Sequence, residues 1–327
     1  MIDKIIAELK NNNSFLIVSH INPDGDAIGS ALALAAGLKA MGKKVTVFNQ
    51  DRVPDIVSFL PDASEIVHEL SDGEWFDAAI VVDCGTPKQL GDKFNAFKGY
   101  KKLLNIDHHL TNLNFADIVL MDPDACATGV IIYRVLKKMG IEITKEIALS
   151  IYTTIVVDTG SFHYGNSNPE AFKVAGEMVD IGVEPWYVAE NLYESQPEGR
   201  IRLHSLALNT LSTHYNGKIG FIMVSNEMYK ATGTTAEDTD GIVNYARSLK
   251  GVEAAIFVRE ISQGRYKASL RSKGRVDVTK VAGKYDGGGH ANAAGCVLSG
   301  SLTEVRSKLI EATEELLLQQ EGMKIGS

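Results

Sequence analysis

Four short apolar runs recur within the first 107 residues, at 14–19, 44–49, 78–83 and 102–107, and helix-forming or turn-rich segments separate them. Each run is of strand length. Residues 27–41 are rich in Ala and Leu and stop at Gly42, Ile2, Ile5, Ile6 and Leu9 recur at helical spacing, and 128–139 and 145–157 repeat the helical pattern. Strands that alternate with helices predict an α/β fold whose parallel sheet is covered on both faces, a doubly wound domain. At 327 residues the chain suits two domains. The amphipathic and then polar stretch 186–205, which contains Gln196-Pro197-Glu198-Gly199, reads as a connector between a domain at 1–185 and another at 206–327. Beyond it, strand patterns at 219–224, 252–260 and 265–271, the last two joined by a Ser-Gln-Gly hairpin signal, mix with helical patterns at 239–248, 278–284 and 302–319. They predict a smaller, mixed α/β domain.

Composition narrows the function classes. With 45% apolar and 23% charged residues, the chain is neither disordered nor fibrous. Its apolar runs fall short of the roughly 18 residues that a membrane span needs, and the N-terminus reads as an acidic amphipathic helix, not a signal peptide. Three cysteines without metal or disulfide spacing suit a reducing cytoplasm. Charge is divided unevenly. The first 200 residues carry 28 Asp/Glu against 17 Lys/Arg, whereas residues 201–300 carry 8 against 13. An enzyme that holds cations in one domain and steers an anionic substrate with the other would show this asymmetry.

Ligands of open parallel sheets bind beyond the carboxyl ends of the strands. Here those ends carry His20-Ile21-Asn22-Pro23-Asp24-Gly25-Asp26, then Asp83, then Asp107-His108-His109, while Asp158 closes a helix. Taken singly, each has a structural reading: Asn22–Asp26 as a turn with Asp26 capping the helix, Asp83 as a loop cap, Asp158 as a helix terminator. One dinuclear site accounts for all of them together. Carboxylates and imidazoles without thiolates fit Mn²⁺ or Mg²⁺ better than a structural zinc.

The series HxNPDGDAxGS (20–30), VVDCG (81–85), DHH (107–109) and DTGSF (158–162), in that order, resembles the DHH phosphoesterase superfamily. GGGHANAAG (287–295) resembles the DHHA1 domain that accompanies it, and the compact length resembles the NrnA-like oligoribonuclease and pAp-phosphatase branch. The resemblance implies an N-terminal DHH domain and a C-terminal DHHA1 domain. It implies one metal on His20, Asp24 and Asp83 and a second on Asp26, Asp83, His108 and Asp158, with manganese the expected ion and magnesium the alternative. His109 would face the scissile phosphate, Asp107 would orient the histidine pair, and Asn22 would support the loop of His20. A homodimer through the first domain is also implied.

The basic excess concentrates at 259–275, six Lys/Arg against Glu260, and strand alternation puts Arg265, Lys267, Ser269 and Arg271 on one face. Alone, this is a solvated edge strand. The following Gly287-Gly288-Gly289 run offers backbone N–H groups to an anion. The resemblance makes Arg271, Ser272, Gly288, Gly289 and His290 substrate contacts, and Tyr266, Tyr285, Phe162 and Tyr164 are candidate stacking partners for bases. The expected activity is metal-dependent hydrolysis of short single-stranded oligoribonucleotides to 5′-mononucleotides and of 3′-phosphoadenosine 5′-phosphate (pAp) to AMP and phosphate, with long duplexes excluded. The alternative is a phosphodiesterase of cyclic-di-AMP or linear pApA. A manganese pyrophosphatase and an inactive nucleotide-binding regulator rank lower.

Overall fold

The computed structural model describes residues 1–71 and 73–325, and of His290 and residues 321–325 the backbone alone. Two compact units divide after Ser195.

Unit 1 runs α1 (Ile2–Asn11), β1 (Ser14–Val18), α2 (Gly25–Ala40), β2 (Lys44–Phe48), β3 (Ala78–Val82), α3 (Gly91–Ala96), β4 (Leu103–Asp107), β5 (Ile118–Met121), α4 (Thr128–Met139), α5 (Lys145–Asp158), α6 (Pro169–Ile181) and α7 (Pro185–Ala189). The five strands form one all-parallel sheet in the order β2-β1-β3-β4-β5. Both faces are buried, as the near-continuous apolar strands require. Phe15 and Ile17 of β1, with Ala78, Ile80 and Val82 of β3, pack under α1, α2, α4 and α5, while Leu16, Val18, Ala79 and Val81 pack on the opposite side with Phe48 and Phe94. This is the doubly wound domain that the alternation predicts. The edge strand β5 and the helix α6 had no expectation; α6 opens on an Asn168-Pro169 pair, with Asn168 capping Ala171 N–H.

Small residues bring three helices together. A Cβ on Gly29 of α2 would meet Thr154 Cγ2 of α5 at 2.6 Å, and one on Gly129 of α4 would meet Thr154 Oγ1 at 2.0 Å. The start of α2, the start of α4 and the end of α5 therefore converge at one edge of the sheet. Strand order reverses between β1 and β3, so their loops open a crevice at that same edge.

Unit 2 runs α8 (Glu198–Leu208), β6 (Ser212–His214), β7 (Ile219–Val224), α9 (Asn226–Thr232), α10 (Ile242–Ser248), β8 (Ala254–Ser262), β9 (Arg265–Ser272), α11 (Thr279–Gly283), β10 (Gly288–His290), β11 (Ala293–Ser299) and α12 (Leu302–Ile325). Its six strands lie in the order β10-β11-β9-β8-β7-β6, antiparallel except for β7 with β8. One face packs Tyr266, Ala268 and Leu270 against Val281, Val305 and Leu309. The other packs Ala255 and Phe257 against Leu203 and Ala246. No helix among the described residues is long and apolar enough to cross a membrane.

Candidate metal centre

The loop after β1 begins the site. Asp24 is the N-cap of α2, its Oδ1 accepting from Asp26 N–H and Ala27 N–H at 3.0 Å each. Asp26 is thus the second residue of the helix and not its cap, a correction to the turn reading. Its carboxylate, 1% exposed, crosses to α4, where Thr128 N–H (2.7 Å) and Gly129 N–H (3.1 Å) donate to it, and Ser30 Oγ donates at 2.9 Å. The positive end of α4 is aimed at this acid. Asn49, rather than Asn22, braces the His20 loop: its Nδ2 donates to His20 O at 2.8 Å and to Ser19 Oγ at 2.8 Å. Asn22 contributes a left-handed backbone (φ 51°) and gives its N–H to Asp51 at 2.7 Å.

Asp83 follows β3, 2% exposed and left-handed at φ 54°, and accepts from Thr128 Oγ1 at 3.0 Å. A non-glycine residue holds that conformation only where its surroundings over-determine it. Two of the three histidines point Nε2 at the carboxylates because Nδ1 is tied elsewhere: His20 Nδ1 lies 2.8 Å from Ile21 O and His108 Nδ1 3.1 Å from Ala125 O. His20 Nε2 is 3.7 Å from Asp83 and 3.9 Å from Asp24, and His108 Nε2 is 3.8, 3.6 and 3.7 Å from Asp26, Asp83 and Asp158. These separations are too long for hydrogen bonds. Two donors that each reach about 2.1 Å to a common ion can stand up to about 4.2 Å apart, so the spacing suits shared cations. Three sets of donors qualify: His20, Asp24 and Asp83; Asp26, His108 and Asp158; and Asp83, His108 and His109.

His109 is held differently. Its Nδ1 lies 2.8 Å from Asp107 Oδ1, and Asp107, fully buried, also accepts from His108 N–H (2.9 Å) and from Asn112 Nδ2 (2.6 Å). Asn112 in turn donates to Asn105 Oδ1 at 2.7 Å. Asp107 thus supports both histidines, through the backbone of one and the ring of the other.

The electrostatics sort the acids. Burial pushes the Asp83 carboxyl up, but the imidazoles of His20, His108 and His109 outweigh it and hold the group at about 2. Burial, with the charges of Asp83 and Asp158, drives Asp26 well above the carboxylate range. Asp158 rises to about 7 through burial, with His108 opposing and Asp83 and Asp24 reinforcing. Burial works against a charged His20, yet Asp83 and Asp24 raise it to about 9, and the bond to Asp107 raises His109 to about 9. Crowded acids that resist ionisation are what a cation among them would relieve. Donor set, spacing and electrostatics all fit divalent cations.

Unit 2 arranges its candidates less closely. Arg271 and Ser272 fall on opposite faces of β9; Ser272 is 3% exposed and donates to Asn292 Oδ1 at 2.9 Å. Arg271 Nη1 reaches Leu270 O at 3.2 Å. Gly288 and Gly289 lie in β10, a strand paired with β11, instead of an open loop. The glycines permit that pairing, since a Cβ on Gly289 would sit 2.4 Å from Ala293 O. The His290 side chain lies outside the described residues. Tyr266 is core, Tyr285 gives its hydroxyl to Lys308 O, Phe162 stacks on Phe172, and Tyr164 is 39% exposed. Sequence reasoning missed Thr128, Asn112, Asn105, Asn49 and Asn166, whose Nδ2 donates to Asp158 O at 3.1 Å.

The model of the DHH family N-terminal domain matches residues 14–161, and that of the DHHA1 domain matches 217–318. The bifunctional oligoribonuclease and PAP phosphatase NrnA of Thermus thermophilus is 33% identical over 306 residues, which cover 92% of this chain and 89% of that one. An exopolyphosphatase-related protein from Bacteroides fragilis superposes with a TM-score of 0.90 at 29% identity, covering 98% and 97% of the two chains. RecJ of Thermus thermophilus, solved in complex with Mn²⁺, shares the fold at a TM-score of 0.57 and 16% identity, covering 96% of this chain and 54% of that one. With both domain models matched in order and a relative one-third identical along nearly the whole length, the chain belongs to the DHH/DHHA1 phosphoesterase family.

Proposed function

We propose that the chain is a two-metal phosphoesterase that hydrolyses short oligoribonucleotides to 5′-mononucleotides and pAp to AMP and phosphate. The observation that carries this is the convergence of His20, Asp24, Asp26, Asp83, His108 and Asp158 from separate strand and helix ends onto one sheet edge. The substrate class follows the NrnA relative. Asp83 is assigned to both ions, His20 and Asp24 to one, and Asp26, His108 and Asp158 to the other. Manganese is the favoured ion and magnesium the alternative; RecJ of Thermus thermophilus has been solved with each.

Cations held by these residues would neutralise charge and lower the pKa of water beside the phosphate. The chain's own residues do the rest. Asp107 fixes the His109 ring, and its carboxylate favours the charged imidazole. His109 then offers positive charge to the phosphoryl oxygens as it builds in the transition state. Water forms a bond to phosphorus, the ester P–O bond breaks, and the departing oxygen takes up a proton. In unit 2, Arg271, Gly288, Gly289 and His290 are assigned to a terminal phosphate, with Ser272 acting through Asn292. A homodimer in a reducing compartment completes the reading; Cys84, Cys126 and Cys296 are free and buried.

Purified protein with Mn²⁺ is assayed in parallel on a five-mer RNA, pAp, pApA, cyclic-di-AMP and pyrophosphate. Release of mononucleotides from RNA and of phosphate from pAp is expected. Preference for cyclic-di-AMP or pApA would move the chain to the dinucleotide phosphodiesterases. Asp83→Ala and His108→Ala should stay folded by circular dichroism and lose about a thousandfold or more in kcat. Near-normal turnover by either variant contradicts the assignment.

A further inference from the structure

Unit 2 holds a cavity of about 540 Å³ beside β6, β7 and the first turns of α12. Arg306 is its chemical focus. The guanidinium lies 5.1 Å over the Phe221 ring, and its Nη2 donates to Ser212 Oγ at 3.2 Å and to His214 Nε2 at 3.3 Å. Burial, then the Arg306 charge, lowers the titration of His214, so the ring stays neutral and accepts. Among the described residues, Nη1 and Nε of Arg306 have no acceptor and no carboxylate lies within ion-pair distance. A guanidinium braced on one edge and lining a cavity with the other is a fork for an oxyanion.

The remaining walls describe the body of the ligand. Met223 and Ile310 are apolar surfaces suited to a flat ring, and Glu311 is an acceptor for an amino or hydroxyl group. The volume falls within the range of small-molecule sites. We propose that this cavity binds a nucleoside monophosphate, with its phosphate on Arg306 and its base against Met223 and Ile310. None of these residues belongs to the metal set or to the substrate contacts assigned above. The ligand would also be a product of the proposed hydrolysis, a link that rests on that reading, whereas the binding itself does not.

The test is calorimetric titration of the full chain in EDTA with AMP, adenosine and inorganic phosphate. AMP should bind with a millimolar or tighter Kd, and adenosine and phosphate should each bind at least about tenfold more weakly. Arg306→Gln should weaken AMP by at least about tenfold. Ser307 is exposed on α12 and lines the cavity, so Ser307→Trp should block it without touching Arg306, which covers any folding defect of the first variant. In the wild type, AMP should shift the His214 imidazole nitrogen resonances. Absent AMP binding, or binding that survives both Arg306→Gln and Ser307→Trp, overturns the proposal. So does phosphate alone binding as well as AMP. Mn²⁺-dependent hydrolysis by the wild type persists under every one of these outcomes, so the two readings fail separately.

Discussion

Asp158 is the acid whose neutralisation reveals most. It closes α5 with 27% of its side chain exposed, and burial with the Asp83 and Asp24 charges, against His108, raises it from the ordinary 3.8 to about 7. In the unfolded chain it ionises near 3.8. As pH rises from there, the unfolded state gives up the proton while the metal-free folded state still holds it, so stability falls until about 7 and is level beyond. A shift of about three units at about 1.4 kcal/mol each is about 4 kcal/mol, and water at the exposed part screens some of it, which leaves about 2–4 kcal/mol. Asp158→Asn keeps the shape and an acceptor for Asn166 Nδ2, 3.3 Å away, but removes the charge. In EDTA at pH 8 the variant should therefore melt about 5–10 °C above the wild type, and at pH 4 the two should coincide. Added Mn²⁺ should reverse the order, because the variant lacks one ligand. Differential scanning calorimetry with and without chelator reads all of this. If the metal-free variant melts at or below the wild type at pH 8, or the gap is the same at pH 4, the carboxylate-crowding argument fails.

Gly129→Ala would drive a Cβ to 2.0 Å from Thr154 Oγ1 and disturb the N–H that serves Asp26. It should cost about 1–3 kcal/mol in urea unfolding and weaken Mn²⁺ binding, and unchanged values in both would refute the close-packing role. Asn112→Leu removes the amide from buried Asp107, so it should cost about 1–3 kcal/mol and lower kcat more than it alters KM. A KM effect alone would show that Asn112 serves substrate binding and not His109.

The convergence of these side chains was legible because a parallel sheet places every strand's carboxyl end on one edge, so residues distant in sequence meet there through their position alone. Which of two aspartates caps α2 was not legible. Asp24 and Asp26 fit the same turn, and only the convergence of α4 on α2 sends Asp26 inward to Thr128 and Gly129. Thr128, Asn112 and Asn49 escaped notice for the same reason, since their roles depend on tertiary neighbours 29 or more residues away or on a loop's return path. Gly287-Gly288-Gly289 read as a run whose bare backbone N–H groups face an anion. Here the bare Cα atoms of Gly287 and Gly289 let this segment approach β11, with a Cβ on Gly287 placed 2.2 Å from Gly295 O.

The acids are not equivalent, and that inequality has a consequence for metal uptake. Asp83 is compensated by three imidazoles and stays ionised near neutrality, whereas Asp158 is half protonated at pH 7 and His20, raised to about 9, is charged. Both must lose their protons to ligate a cation. Asp26, driven well above the carboxylate range, holds a proton as well, so Mn²⁺ binding at pH 7 should release protons from His20, Asp158 and Asp26 together. Titration calorimetry in buffers of different ionisation enthalpy measures this release directly. Asp158→Asn should remove its share and leave the contributions of His20 and Asp26. A binding enthalpy independent of buffer would mean that the folded, metal-free site does not hold these protons, and the division of charge among its acids would have to be redrawn.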